Sequence, residues 1–379
     1  MLAALQSRSF HWMRSGDEVF PIMLAAIESA TECVRLETYI YVADRLGEQF
    51  RDALVTAALR GVKVKVLCDA LGSQSLSAGF WQALEAAGGE ARYFNPILFK
   101  RFGFRDHRKM LVCDRHTAFV GGFNIANEYE GDGVKSGWRD LGLRVNGPIA
   151  GALADAFDGM FARADVEHKP FARLRRSSAK QVINLPEGRV LLAGPGRGRN
   201  PFEQALHHDL RRAQHVQIIA AYFLPTWRLR RELARIARRG GRVELVLAGK
   251  SDVYLSQLAG RSLYRRLLRA GITIYEYEPQ ILHAKLIIID DIVYVGSSNF
   301  DTRSFRINYE LMLRLQDGPF VAGAREIFAD FVSHSRRIEY AAWIKSRTWW
   351  RRLKHRWAYF LLARVDPYFI RWQYRKAPD

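Results

Sequence analysis

Two distant stretches of this chain repeat one design, and that internal repeat constrains the fold more than any other feature of the sequence. Residues 34–42 (VRLETYIYV) and 216–224 (VQIIAAYFL) are strand-like runs, each preceded by a helical stretch ending in Ala, MLAAIESA and LHHDLRRA. Each is followed by an amphipathic helix closing on Arg-Gly and then a second β-rich run: ALVTAALRG with VKVKVLCDA, and ELARIARRG with GRVELVLAG. LEAAGGEARYFNP and LLRAGITIYEYEP then supply a helix end at Ala-Gly, a strand, and a stop at Pro96 and Pro279. Alternating strands and helices predict α/β units built on a largely buried sheet. Between the copies, residues 166–187 lose periodicity and gain Ser, Pro and basic side chains, as a connector does. The chain therefore divides into a first domain (1–167), a second (188–340) and a tail (341–379).

Polar residues recur along with the apolar pattern. His107-Arg-Lys109-Met-Leu-Val-Cys-Asp114 and His283-Ala-Lys285-Leu-Ile-Ile-Ile-Asp290 are both HxKxxxxD. On an extended chain His and Lys, two apart, share a face, so an imidazole and an ammonium address one ligand. Gly121-Gly122-Phe123-Asn124 and Gly296-Ser297-Ser298-Asn299 follow. Glycine lets the backbone approach an anion, and the Asn amide donates to it. Six residues separate Asp114 from Gly121, but only five separate Asp290 from Gly296. That shorter second turn puts the placement of Asn299 in question. Asp140 and Glu310 each open the next strand, where a carboxylate can fix the tautomer of a His and raise its basicity. Duplication of a fold alone preserves apolar spacing, so polar identity kept in both halves implies a polar task.

Carboxylate clusters and close His/Cys ligand spacing are missing around these motifs, so the sequence predicts neither a metal nor another cofactor. Charge developing on phosphoryl oxygens must then be met by Lys, Asn and backbone N–H groups. One imidazole is left to act as nucleophile and the other as general acid, a set of parts suited to a phosphodiester.

The paired motifs resemble the phospholipase D superfamily over about residues 10–340. That resemblance implies two tandem, pseudo-symmetric α/β sandwich domains sharing one active site and working through a phosphohistidine. It implies His107 as nucleophile and His283 as the acid for the leaving alkoxide. Lys109, Lys285, Asn124 and Asn299 would hold phosphate oxygens, with Asp114 and Asp290 organising the motifs. LETYIYVAD, RGVKVKVLCDALGS, WRDLGLRVNGP, AAYFLPT, AGKSDV and LHAKLIIIDD are similar to bacterial cardiolipin synthases of the short type without N-terminal spans. The implied reaction is transfer of a phosphatidyl group between phospholipids; phospholipid hydrolysis and nuclease activity are the alternatives for the same residues.

Charge bears on that choice. The 379 residues carry 58 Lys+Arg against 39 Asp+Glu, a formal +19, with 49% hydrophobic residues, which excludes a disordered chain and demands anionic partners. Residues 343–379 hold five of the nine Trp and a net +8. Trp350, Leu353, Trp357, Phe360 and Leu361 recur at helical spacing, flanked by Arg351, Arg352, Lys354 and Arg356, the pattern of an interfacial helix. The expected partners are anionic phospholipids, phosphatidylglycerol and cardiolipin, with peripheral attachment at the cytoplasmic face of a bacterial membrane and no nucleic acid. A helix packed on the enzyme body is the competing reading of the tail. Cys33, Cys68 and Cys113 form no CxxC pair and read as buried thiols.

Overall fold

The computed structural model describes residues 10–95, 104–164, 179–196, 198–346 and 348–362. Pro96, much of the connector and the tail beyond Leu362 lie outside these. Seven strands form the first sheet: β1 (Phe10–Met13), β2 (Cys33–Thr38), β3 (Lys63–Asp69), β4 (Glu90–Phe94), β5 (Met110–Cys113), β6 (Thr117–Gly121) and β7 (Gly142–Asn146). Nine form the second: β8 (Gln181–Leu185), β9 (Gly188–Ala193), β10 (His215–Ala220), β11 (Arg242–Ala248), β12 (Thr273–Tyr277), β13 (Lys285–Ile289), β14 (Ile292–Gly296), β15 (Glu310–Leu315) and β16 (Ser335–Arg337).

The repeat is visible in the strand order. The first sheet runs β1-β7-β6-β5-β2-β3-β4, and the second contains β15-β14-β13-β10-β11-β12 in the same relative order. In each half three parallel strands, joined by helical crossovers, meet an antiparallel meander at the β2–β5 or β10–β13 pair. β8 falls inside the stretch read as a connector, yet it pairs with β9 and closes the edge of the second sheet.

The two sheets share a core. Val112, Leu143, Ile288, Val293 and Leu313 lie in one buried cluster with the apolar sides of helices Pro148–Ala164 and Gly318–Ser333. Separate clusters lie under the outer helices of each half, Phe50 and Leu54 in the first, Leu229 and Leu233 in the second. Burial on both faces explains why the strands read as continuous apolar runs.

Asp114 and Asp290 close the turns after β5 and β13. The Asp114 carboxylate accepts from the N–H groups of Thr31, Glu32 and Cys33 at 2.8–2.9 Å; Asp290 accepts from those of Gln214 and His215. Each pins the start of its half's first repeated strand. The missing residue of the second repeat is absorbed here: residues 114–116 join β5 to β6, whereas only Asp290 and Asp291 join β13 to β14. Met110 pairs with Val120 and Leu286 with Val295, so Gly121 and Gly296, and with them both Asn residues, occupy equivalent places.

The described part of the tail packs on the second half and keeps several large apolar side chains exposed. Helix Trp349–Phe360 lays Ala358 against Leu224 and Ala259 of the second half. Trp350, Leu353, Trp357 and Phe360 stay exposed, at 57%, 41%, 58% and 52%. Among the described residues no helix is long and apolar enough to cross a membrane.

Candidate active site

Each HxK pair lies on the extended approach to a strand, His107 and Lys109 before β5, His283 and Lys285 at the start of β13. A short crossed ladder brings these approaches together. His107 N–H donates to Tyr309 O (3.0 Å) and Tyr309 N–H to Arg105 O (2.9 Å); in the mirror arrangement, Arg139 N–H donates to Ile281 O (2.8 Å) and His283 N–H to Arg139 O (2.8 Å). Glu310 follows Tyr309, and Asp140 follows Arg139. Each acid is therefore delivered to the His of the other half: His107 Nδ1 lies 3.1 Å from Glu310 Oε2 and His283 Nδ1 2.6 Å from Asp140 Oδ2. With Nδ1 bonded to a carboxylate, Nε2 of each ring is the nitrogen left to react.

All of these groups are buried, yet the two acids are accommodated differently. A Cβ at Gly122 would meet Asp140 Oδ1 at 2.1 Å, so only glycine leaves room for that carboxylate. Ser297 occupies the matching place, and its hydroxyl donates to Glu310 Oε2 at 2.5 Å. Lys109 Nζ donates to His107 O at 2.8 Å, and Lys285 Nζ to His283 O. Asn124 donates to Tyr129 Oη (2.6 Å) and accepts from Ile40 N–H (3.1 Å), while Asn299 Oδ1 is buried without a partner.

Burial, partly offset by Glu310, lowers the pKa of His107. His283 is also lowered, by burial first and then by Lys285, against the pull of Asp140. Burial and the second lysine bring Lys109 down to about 7 in spite of Glu310. Asp140 goes the other way: burial pushes it up, but His283 and Lys285 together hold it below the usual carboxylate range. Two crowded lysines with lowered pKa make a cavity that gains from an anion.

The structure groups eight of the ten residues singled out by sequence: both His, both Lys, both Asn, Asp140 and Glu310. Asp114 and Asp290 stand apart from these eight: each sits beyond the far end of the strand that its His precedes and accepts from backbone N–H groups, a placement suited to organising the motif. Residues without a counterpart in the repeat were missed. Tyr39 stands with its ring 5.0 Å from His107, and Tyr129 and Trp138 stand 5.3 and 5.7 Å from His283. Glu37 and Asp106 are fully buried, and burial with repulsion from Asp106 pushes the pKa of Glu37 well up. The one available signal was a Glu inside an apolar strand whose repeat carries Ile219.

A family profile described as cardiolipin synthase, PLD-like domain, matches residues 23–148 and again 206–332. This chain belongs to that family. It is accordingly an enzyme of phospholipid phosphatidyl transfer within the phospholipase D superfamily. Cardiolipin synthase 1 of Bacillus anthracis is 33% identical over 347 residues, covering 88% of this chain and 68% of that protein. Cardiolipin synthase B of Escherichia coli K12 is 32% identical over 373 residues, covering 95% of this chain and 89% of that protein. In fold the chain is similar to a phosphatidylserine synthase of Haemophilus influenzae, with a TM-score of 0.76 at 16% identity over 95% and 94% of the two chains. The PLD-like cardiolipin synthase family thus accounts for both halves of the repeat.

Proposed function

We propose that this cardiolipin synthase family member joins two phosphatidylglycerol molecules, with His107 as nucleophile and His283 as acid and base. The observation that carries the reading is the crossed pairing of each His with the other half's acid, which leaves Nε2 of each ring free of that carboxylate beside two buried lysines. Nε2 of His107 attacks phosphorus, and the P–O bond to glycerol breaks as His283 gives that oxygen its proton. Neutral His283 then takes the proton of the acceptor's hydroxyl, whose oxygen displaces His107 from phosphorus. Lys109, Lys285 and an amide N–H of Asn124 or Asn299 neutralise the oxygens in between. A bound anion raises the pKa of His283, toward the charged form that an acid needs. Asp114 and Asp290 serve by holding the strand starts.

The tail docks this body on an anionic membrane. Its exposed Trp, Leu and Phe lie among Arg351, Arg352, Lys354 and Arg356, each contributing about 1 kcal/mol near an acidic surface. Purified protein incubated with phosphatidylglycerol liposomes should yield cardiolipin and free glycerol, with phosphatidic acid as the minor product. Phosphatidic acid alone would identify a hydrolase.

A further inference from the structure

The two sides of the cavity are unlike, and the difference lies outside the residues that repeat. Where the second half has Tyr222 the first has Ile40, and where it has Asp252 the first has Ser73. Ser73 is sealed inward, its hydroxyl donating to Tyr39 O (3.3 Å) and accepting from Tyr41 N–H (3.0 Å). Asp252 is exposed, and the Tyr222 hydroxyl donates to its carboxylate, 2.6 and 2.7 Å from the two oxygens.

Three observations set this pair beside His283. β10 and β13 are antiparallel with Ala220 opposite Lys285, and the same register carried two residues further sets Tyr222 level with His283. Tyr222 O accepts from the N–H of Phe300, the residue after Asn299, at 3.2 Å. The charge of Asp252 is felt by Lys285 and by Tyr129, whose ring stands edge-on to His283.

A carboxylate here opposes the binding of phosphate, which the lysines must achieve. Its lone pairs instead suit a donor ligand, and the non-phosphate portion of a phosphatidylglycerol head group is a polyol. From this asymmetry we infer that Asp252 and Tyr222 form the acceptor subsite, binding the hydroxyl next to the one that reacts and so favouring transfer over hydrolysis. The inference rests on the phosphatidyl-transfer reading above. With the neighbouring hydroxyl held by Asp252, the reacting oxygen bonds to phosphorus, the P–Nε2 bond to His107 breaks with its electron pair returning to the ring, and the proton passes to His283. Water has no second hydroxyl to anchor, and a site built to hydrogen-bond a hydroxyl discriminates against ligands lacking it.

The test uses phosphatidylglycerol diluted in phosphatidylcholine vesicles, with 1,2-propanediol, 1-propanol or 2-aminoethanol supplied as acceptor, for the wild type, Asp252→Asn and Tyr222→Phe. The wild type should form phosphatidylpropanediol in preference to phosphatidylpropanol. Asp252→Asn should cut that preference about tenfold and raise the share of phosphatidic acid, with Tyr222→Phe changing both in the same direction by less. An undiminished diol preference in both variants would overturn the subsite alone. Preference of the wild type for 2-aminoethanol would overturn the polyol assignment, and absence of any phosphatidyl alcohol from the wild type would overturn the transfer reading with it.

Discussion

At the scale of single residues, the cavity ties protonation to binding. In the proposed reaction the attacking His107 must be neutral, and burial, partly offset by Glu310, lowers its pKa in that direction. The proposed role of Lys109 in receiving phosphate needs its charge, and with a pKa lowered to about 7 that charge is lost as pH rises through neutrality. kcat/KM should therefore fall on the acid side below the ordinary histidine range and on the alkaline side from about pH 7, the limbs belonging to the coupled site rather than to one ring. A profile flat from pH 6 to 9 would contradict this. Glu310→Gln preserves size but takes away the charge that orients His107 through Nδ1. Loss of a triad's acid is the parallel, and kcat should drop on the order of a hundredfold or more with the unfolding midpoint little changed. Asp140→Asn should do the same through His283.

At the scale of elements, repeated chemistry and repeated architecture separate. An Asp ends both copies of the motif, but Asp114 works on the far side of its strand, where it satisfies three backbone N–H groups. Asp114→Ala should lower stability by about 2 kcal/mol, read as a shift in denaturant midpoint, while kcat per folded molecule stays within about twofold. Gly122→Ser copies the second half's sequence into the first and forces a Cβ onto Asp140, so it should cost activity although Ser is native at position 297. The strand order, the helical crossovers and the HxK pairs were legible because periodicity and repetition are local properties of sequence. The exchange of Asp140 and Glu310 between halves was not, since it arises from the ladder of residues 105–107 with Tyr309 and of 281–283 with Arg139, contacts of high sequence separation. β8 was hidden inside the connector because it is a five-residue edge strand with no residue fully buried, flanked by Ser-, Pro- and Lys-containing sequence. Tyr39, Tyr129 and Trp138 escaped notice for a related reason: aromatic residues in strands and loops read as core.

At the scale of the whole molecule, the repeat is a means of assembling one site from two incomplete halves. Neither half holds both a His and the acid bonded to it, so the proposed site needs both halves and the core they share. The formal +19 has a similarly divided use, part in the lysines of the cavity and +8 in residues 343–379, whose described helix packs on the second half with its aromatic side outward. Truncation to residues 1–342 should reduce co-sedimentation with phosphatidylglycerol vesicles and leave binding to neutral vesicles unchanged; equal binding by both forms would remove the docking role of the tail. The most direct test of the shared site is the stoichiometry of its covalent intermediate. Acid-quenched enzyme, digested after brief exposure to phosphatidylglycerol and analysed by mass, should carry at most one phosphatidyl group per chain, on His107, and His107→Ala should carry none and make no cardiolipin. Adducts on both His107 and His283, or cardiolipin synthesis by His107→Ala, would contradict it.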